Sequence, residues 1–362
     1  MEGGNIDMNM AQFNRYNQVK IFLEKEDFNG FTKKDLFIMQ FIKKGWGQDI
    51  AALSNMAEAL TNIAFSGSRP EDEIQQLLEA VIYRALHSKV SPYKKDINKV
   101  KSLGKYGYYL EHLNIILGCY FCLAGPKYRE LNKRISQHLL DMSMKYENYH
   151  ADLLPNSRMK WPADQAGIIY SLWLYDKNNW IYDKNDTTRM HIELRNKWLN
   201  YMREEATHKD TGLFITEVQG VKRFSKQPRG CALSYLIHYM SRFAPGAAQQ
   251  QWELYKEHML IKRLGITGFR EFLPNYRGKW TPDSGPIIAG VGIAASGLGM
   301  NSASSVGDDE TFDIINNKAS PIIRVMHSIR WIPGVKTLAM IATDKLALAI
   351  YLNAETKTEW YF

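Results

Sequence analysis

The chain has 362 residues, of which 45% are apolar and 23% charged; that mix excludes disordered and fibrous classes. Only three cysteines exclude a disulfide-framed scaffold, and the sequence has no CxxC…CxxC or HExxH pattern for a metal and no phosphate-binding loop or GxGxxG for a nucleotide. The net charge of +8 allows an anionic partner, but no nucleic-acid module is present and no segment reaches 18 uninterrupted apolar residues.

In chain order, MEGGNIDMNM opens without a basic and an apolar region, so it does not read as a signal peptide. The expectation is a cytoplasmic chain, with a periplasmic or exported one as the alternative if a leader has been removed. Residues 1–30 read as an N-terminal extension and 31–362 as one domain. Apolar residues at helical spacing then fill two alternating series. One is amphipathic and charged, near 32–44, 71–88, 127–147, 189–206, 247–262 and 309–330, and its polar faces need water. The other, near 49–64, 106–122, 162–175, 229–243, 285–300 and 338–352, is poorer in charge and richer in Gly, Ala and Ser. Helices apolar around most of their circumference are buried.

The inner series recurs at intervals of about 57, 56, 67, 56 and 53 residues, the length of one helix pair with its loops. Six pairs exhaust the chain. The fold expected is all-α, an (α/α)6 toroid of six outer and six inner helices, with an open solenoid as the rival. The long segments Tyr146–Trp161, Lys209–Pro228 and Gly268–Ser284 enter inner helices, whereas the returns at 124–127 and 243–246 are short. That asymmetry puts the elaborated loops on one rim, where function tends to reside. The β-branched run Thr211–Val221 predicts a small hairpin there. Six lysines between Lys89 and Lys105 read as a solvated loop or as a contact for phosphate or a membrane surface.

Four clusters open successive inner helices: YGYYLEH at Tyr106–His112, WPADQ at Trp161–Gln165, PRGCALS at Pro228–Ser234 and KWTPDSGP at Lys279–Pro286. In a closed ring they converge. His112 suits proton transfer near neutral pH, or is a hydrogen-bonded core histidine. Asp164 follows Trp161-Pro162 and is either a catalytic carboxylate or a first-turn cap; Asp283 has the same two readings. Cys231 follows Arg229-Gly230 at a helix start, where a guanidinium and the helix dipole favour thiolate, unless it is a small buried apolar residue. Tyr106, Tyr108, Trp161, Arg229, Tyr276, Trp280 and Asp283 are candidate substrate contacts. Cys119 and Cys122, at i and i+3, read as core.

In their order these motifs (YGYYLEHLNIILGCY, WPADQ, PRGCALSYLIHYM and the Gly/Ala-rich helix after TPDSGP) resemble the linalool dehydratase/isomerase family over about residues 100–300. The resemblance implies an (α/α)6 toroid, cofactor-independent acid/base chemistry of the hydration, dehydration and isomerisation type, and an oligomer whose neighbouring subunit helps build the site. His112 resembles the family's inner-helix histidine. Where the founding enzyme has a catalytic cysteine, this chain has Ala163 beside Asp164, so either Asp164 supplies an acid/base group instead or the substrate differs. On this reading Asp164 and His112 exchange protons on a small hydroxylated substrate, Cys231 assists, Tyr106 or Tyr108 orients a hydroxyl, and no cofactor or metal takes part. The alternatives are a carbohydrate-active toroid, with Asp164 paired to Asp283 or Glu217, and a non-catalytic binding protein.

Overall fold

The computed structural model describes residues 8–25, 46–187, 189–219, 227–263, 265–276, 278, 281, 284–317 and 344–362. Helices dominate: α1 (Met10–Glu24), α2 (Trp46–Phe65), α3 (Glu71–Leu86), α4 (Gly107–Ala124), α5 (Arg129–Met144), α6 (Pro162–Tyr182), α7 (Met190–Glu205), α8 (Gly230–Phe243), α9 (Pro245–Met259), α10 (Ile293–Val306), α11 (described over 309–317) and α12 (Lys345–Glu355). The even-numbered helices form a closed ring. α2 packs on α4, α4 on α6, α6 on α8, α8 on α10, α10 on α12, and α12 returns to α2. This is the (α/α)6 toroid expected from the periodicity; the open solenoid is excluded by the α12–α2 contact.

The outer helices earn their place by one apolar stripe each. α3 buries Ile74, Leu77, Leu78, Val81, Ile82 and Ala85 against α2 and α4, with three acidic residues in its exposed first turn. α5 does the same with Leu131, Ile135, Leu139 and Met142. The inner helix α4 is instead buried on nearly every residue from Tyr109 to Phe121.

Several boundaries move. Residues 10–24, within the stretch read as an extension, form α1, which buries Tyr16, Val19, Phe22 and Leu23 and packs on α12 and α3. The stretches 32–44, 318–330 and 338–343 lie outside the described residues. α9 stops at Met259 because the chain turns extended at Leu260 and pairs as β1 (Leu260–Arg263) with β2 (Ile266–Phe269). The fifth inner helix begins at Ile293, not near 285. Ala289 and Gly290 both have positive φ, at 51° and 88°, which is the geometry of a two-residue hairpin turn. They join β3 (Ile287–Ile288) to β4 (Val291–Gly292), and the helix starts only after that pair. The Thr211–Val221 run does not pair with itself over its described part. Phe214 bridges to Thr207 and Gln219 to Lys160.

One end of the ring is filled. After α12 the segment Thr356–Phe362 crosses the C-terminal ends of the inner helices. Trp360 is buried, stacks near Phe65, lies under the Arg242 guanidinium and donates its indole N–H to Asn62 Oδ1 at 2.7 Å; Phe362 meets Trp173 edge-on.

Candidate functional site

From the mouth inward, the inner helices contribute polar side chains in successive turns. At the first turn stand Asp49 of α2, Asp164 of α6 and Cys231 of α8. Asp49 is 6% exposed, and its Oδ1 has no hydrogen-bond partner. Burial, with repulsion from Asp344, pushes its carboxyl up to about 8.

One turn deeper lies the cluster around His112. Its Nδ1 is 2.8 Å from Ser54 Oγ, and Ser54 Oγ donates to Ala51 O at 3.0 Å. With that hydroxyl hydrogen so used, Nδ1–H donates to Ser54, and Nε2 is left as the acceptor. Nε2 faces Glu111 Oε1 at 3.6 Å. Burial holds the His112 imidazole neutral, its pKa lowered to about 3. Burial also raises Glu111 well above the ordinary carboxylate range, and the nearby Asp164 charge adds to the rise. Glu111 is 1% exposed and its Oε2 has no partner. A protonated Glu111 beside a neutral imidazole is the arrangement these surroundings favour. Tyr108 caps His112, ring on ring at 4.9 Å edge-on, and Tyr235 lies beyond it at 6.4 Å.

The third layer is built on Glu58 of α2. Burial acts to raise its carboxyl, but His238 and Lys357 outweigh that and hold it at about 2, ionised. His238 Nε2 lies 3.3 Å from Glu58 Oε2, His238 Nδ1 lies 2.8 Å from Ser305 Oγ, and Asn353 Nδ2 donates to Glu58 Oε2 at 3.1 Å. On α10 the helical repeat sets Ala294, Gly297 and Asn301 opposite Gly299, Met300 and Ala303, which pack outward. A Cβ at Gly297 would meet nothing within 4 Å, and both amide atoms of the buried Asn301 lack partners. Inner helices thus carry buried polar side chains, and α10 has open space beside Gly297.

The residues singled out from the sequence fall into three groups. His112 and Asp164 both lie near Glu111, and Tyr108 covers His112. Cys231 sits one turn before Tyr235, but its thiol donates to Glu271 Oε1 at 3.1 Å and its N–H to Glu271 Oε2 at 3.1 Å. Arg229 grips the same carboxylate at 2.9 Å and donates to Thr281 Oγ1 at 2.7 Å. This cluster ties the 268–284 loop to the start of α8. Burial raises the Glu271 carboxyl, with Arg229 and Cys231 pulling the other way. Tyr106 is turned onto Tyr93, and Tyr276 onto Phe272, which lies under Arg229. Trp161 is the half-buried N-cap of α6, and Glu217 is buried. Trp280 and Asp283 lie outside the described residues. The lysines of the 89–105 stretch are all exposed. Among the described residues no group of three or more His, Cys, Asp and Glu could hold a metal ion, and no helix is long and apolar enough to cross a membrane.

Glu111, Glu58, His238 and Glu271 were not singled out in the sequence. The signal for the first three was present: ionisable residues inside helices otherwise too apolar to face water. Such a residue faces either a partner or a cavity.

No protein-family model matches the chain, and no curated protein matches it. Solved structures do. A family 76 glycoside hydrolase (a mannosidase) from Bacteroides thetaiotaomicron VPI-5482 aligns over 96% of this chain and 97% of its own, with 10% identity and a TM-score of 0.55. A family 76 glycoside hydrolase from a bovine strain of the same species aligns over 96% and 77%, with 9% identity and a TM-score of 0.55. A sugar epimerase from a ruminal bacterium aligns over 81% and 98%, with 10% identity and a TM-score of 0.43. The likeness to the two family 76 hydrolases, with no family model matching, overturns the resemblance to the linalool dehydratase/isomerase family. The physical reason lies in the motifs themselves. Pro162 fills the first turn of α6, and Gly230 lets α8 start against the Arg270 carbonyl, so the order of the motifs records how inner helices begin. At these identities the likeness is one of architecture: the chain is an (α/α)6 toroid built like the family 76 glycoside hydrolases.

Proposed function

We propose that the protein is a carbohydrate-active enzyme that performs acid/base chemistry on a sugar held in the polar axis of the toroid. The observation that carries this reading is that several of the buried hydrogen-bonding atoms without a protein partner sit on the inner helices, among them Glu111 Oε2, Glu58 Oε1, Asp49 Oδ1 and both amide atoms of Asn301. Buried polar groups are otherwise almost always paired. A ligand rich in hydroxyls, each both donor and acceptor, satisfies such a lining; an isoprenoid does not. The family 76 neighbours make glycosidic-bond hydrolysis the first reaction to test.

In this reading Glu111 is the acid. Burial keeps its proton at neutral pH, and the proton passes to the oxygen of the departing sugar. Asp164, at the mouth, is the second carboxylate; it either takes a proton from water or supports positive charge on the ring. His112 positions Glu111, its Nε2 lone pair facing Oε1 and its Nδ1 fixed by Ser54. Proton transfer by such a group contributes about 10²–10⁴-fold.

Turnover of a panel of oligosaccharides that includes mannosides tests the proposal. Glu111→Gln and Asp164→Asn are each expected to lower kcat by about 10²–10⁴-fold with an unchanged melting temperature. Full activity of either folded variant on an identified substrate overturns the assignment.

A further inference from the structure

The β1–β2 hairpin carries two guanidinium groups that the acid/base site does not use. In its register Ile261 opposes Gly268 and Arg263 opposes Ile266, and the Arg270 N–H donates to Met259 O just beyond the ladder. Alternate residues of a strand share a face. Ile261, Arg263, Gly268 and Arg270 therefore lie on one face, and the turn of the β3–β4 hairpin rests against it. A Cβ built on Gly290 would lie 3.6 Å from Ile261 Cδ1 and 3.8 Å from Nη1 of both Arg263 and Arg270. The two nitrogens are thus within about 8 Å of each other, a span that the oxygens of one anion bridge.

Neither guanidinium has a hydrogen-bond or ion-pair partner among the described residues. Arg263 is exposed and Arg270 half-buried. The nearest acid in sequence, Glu271, is committed to Arg229 and Cys231. Two unpaired like charges repel, and an anion between them relieves the repulsion. Gly290, at φ 88°, leaves the spot between them bare, where a side chain would fill it. The pair also stands at the mouth. β4 runs into α10, and the Arg270 carbonyl abuts Gly230 at the start of α8.

We propose that Arg263 and Arg270 form an anion-binding subsite at the mouth between α8 and α10, which takes the carboxylate, sulfate or phosphate of an acidic sugar. The inference rests on the carbohydrate reading above and narrows its substrate class.

Calorimetric titration of the full chain with glucose, glucuronate, glucose 6-sulfate, glucose 6-phosphate and inorganic phosphate tests it. At low salt at least one charged sugar is expected to bind about tenfold or more tightly than glucose, with the advantage shrinking as salt screens it. The sugar that gains most identifies the anion. The advantage should vanish in the Arg263→Gln/Arg270→Gln double variant and survive in part in the double Lys variant. If the double variant does not fold, Arg263→Gln alone, at an exposed position, should still cut the advantage severalfold. Charged sugars binding no better than glucose, or binding wild type and a folded Gln variant alike, overturn the subsite. So does inorganic phosphate that accounts for the whole affinity of the charged sugars. The two proposals fail separately. A charge preference with fully active Asp164→Asn and Glu111→Gln sinks the acid pair alone; inactive acid variants without a charge preference sink the subsite alone.

Discussion

Asp49 is a carboxyl that folding forces to hold its proton. Its pKa rises from 3.8 to about 8 on burial. Below pH 4 it is protonated folded or unfolded and costs nothing. Between pH 4 and 8 the unfolded chain releases the proton and the folded chain does not, so stability falls with rising pH through that window. His112 works in the opposite sense. Its folded pKa lies near 3 against 6.5, so its contribution is present above pH 6.5 and is lost as the pH falls. Asp49→Asn keeps the shape and removes the titration. It is expected to leave stability unchanged near pH 4 and to raise it by about 1–3 kcal/mol at pH 8, read from urea denaturation at the two pH values.

At the scale of elements, inner helices begin where backbone meets backbone. A Cβ on Gly230 would lie 2.0 Å from the Arg270 carbonyl oxygen, an atom fixed by the hairpin and unable to yield. Gly230→Ala should cost about 2–3 kcal/mol or more, seen as a lowered melting temperature, and should loosen the Arg229–Glu271–Cys231 tie. The helices themselves were legible in the sequence, because a 3.6-residue apolar repeat and Pro162 at a helix start are local signals. The β1–β2 and β3–β4 hairpins were not. Their runs Leu260-Ile261 and Ile287-Ile288 continue an apolar pattern that suits a helix equally well, and only Ala289-Gly290 with positive φ decides the matter. The site was half legible. His112 and Asp164 carry recognisable chemistry at helix starts, whereas Glu111 acquires its meaning from Asp164 and Gly167 of a different helix. Cys231 had a cationic neighbour in sequence, but the partner that binds its thiol, Glu271, is 40 residues away.

For the whole molecule, the decisive contact is between α12 and α2. Asn353, fully buried, donates to Asn55 Oδ1 and Glu58 Oε2 at 3.1 Å each, and accepts from Asn62 at 3.2 Å and from Lys357 at 2.9 Å. It is the polar clasp of the ring and one of the donors that keep the Glu58 charge inside it. Asn353→Leu, similar in volume and without donors, is expected to cost about 3 kcal/mol by urea midpoint. The spacing of the inner series was enough to count the pairs. Closure was not written in it, since the groups that meet across α2 and α12 are 291 to 298 residues apart.

That separation has a kinetic meaning. Each inner helix except α2 packs on one that precedes it in the chain, so the wall can grow in step with synthesis, yet α2 waits for a neighbour some 300 residues downstream. Ribosomes add about 5–20 residues per second, so the flank of α2 spends tens of seconds without its cover. Contacts of such high order are slow to form and leave apolar surface open to other chains. The nascent protein is therefore an unfinished crescent with two sticky edges, and α12 is the keystone that removes both at once.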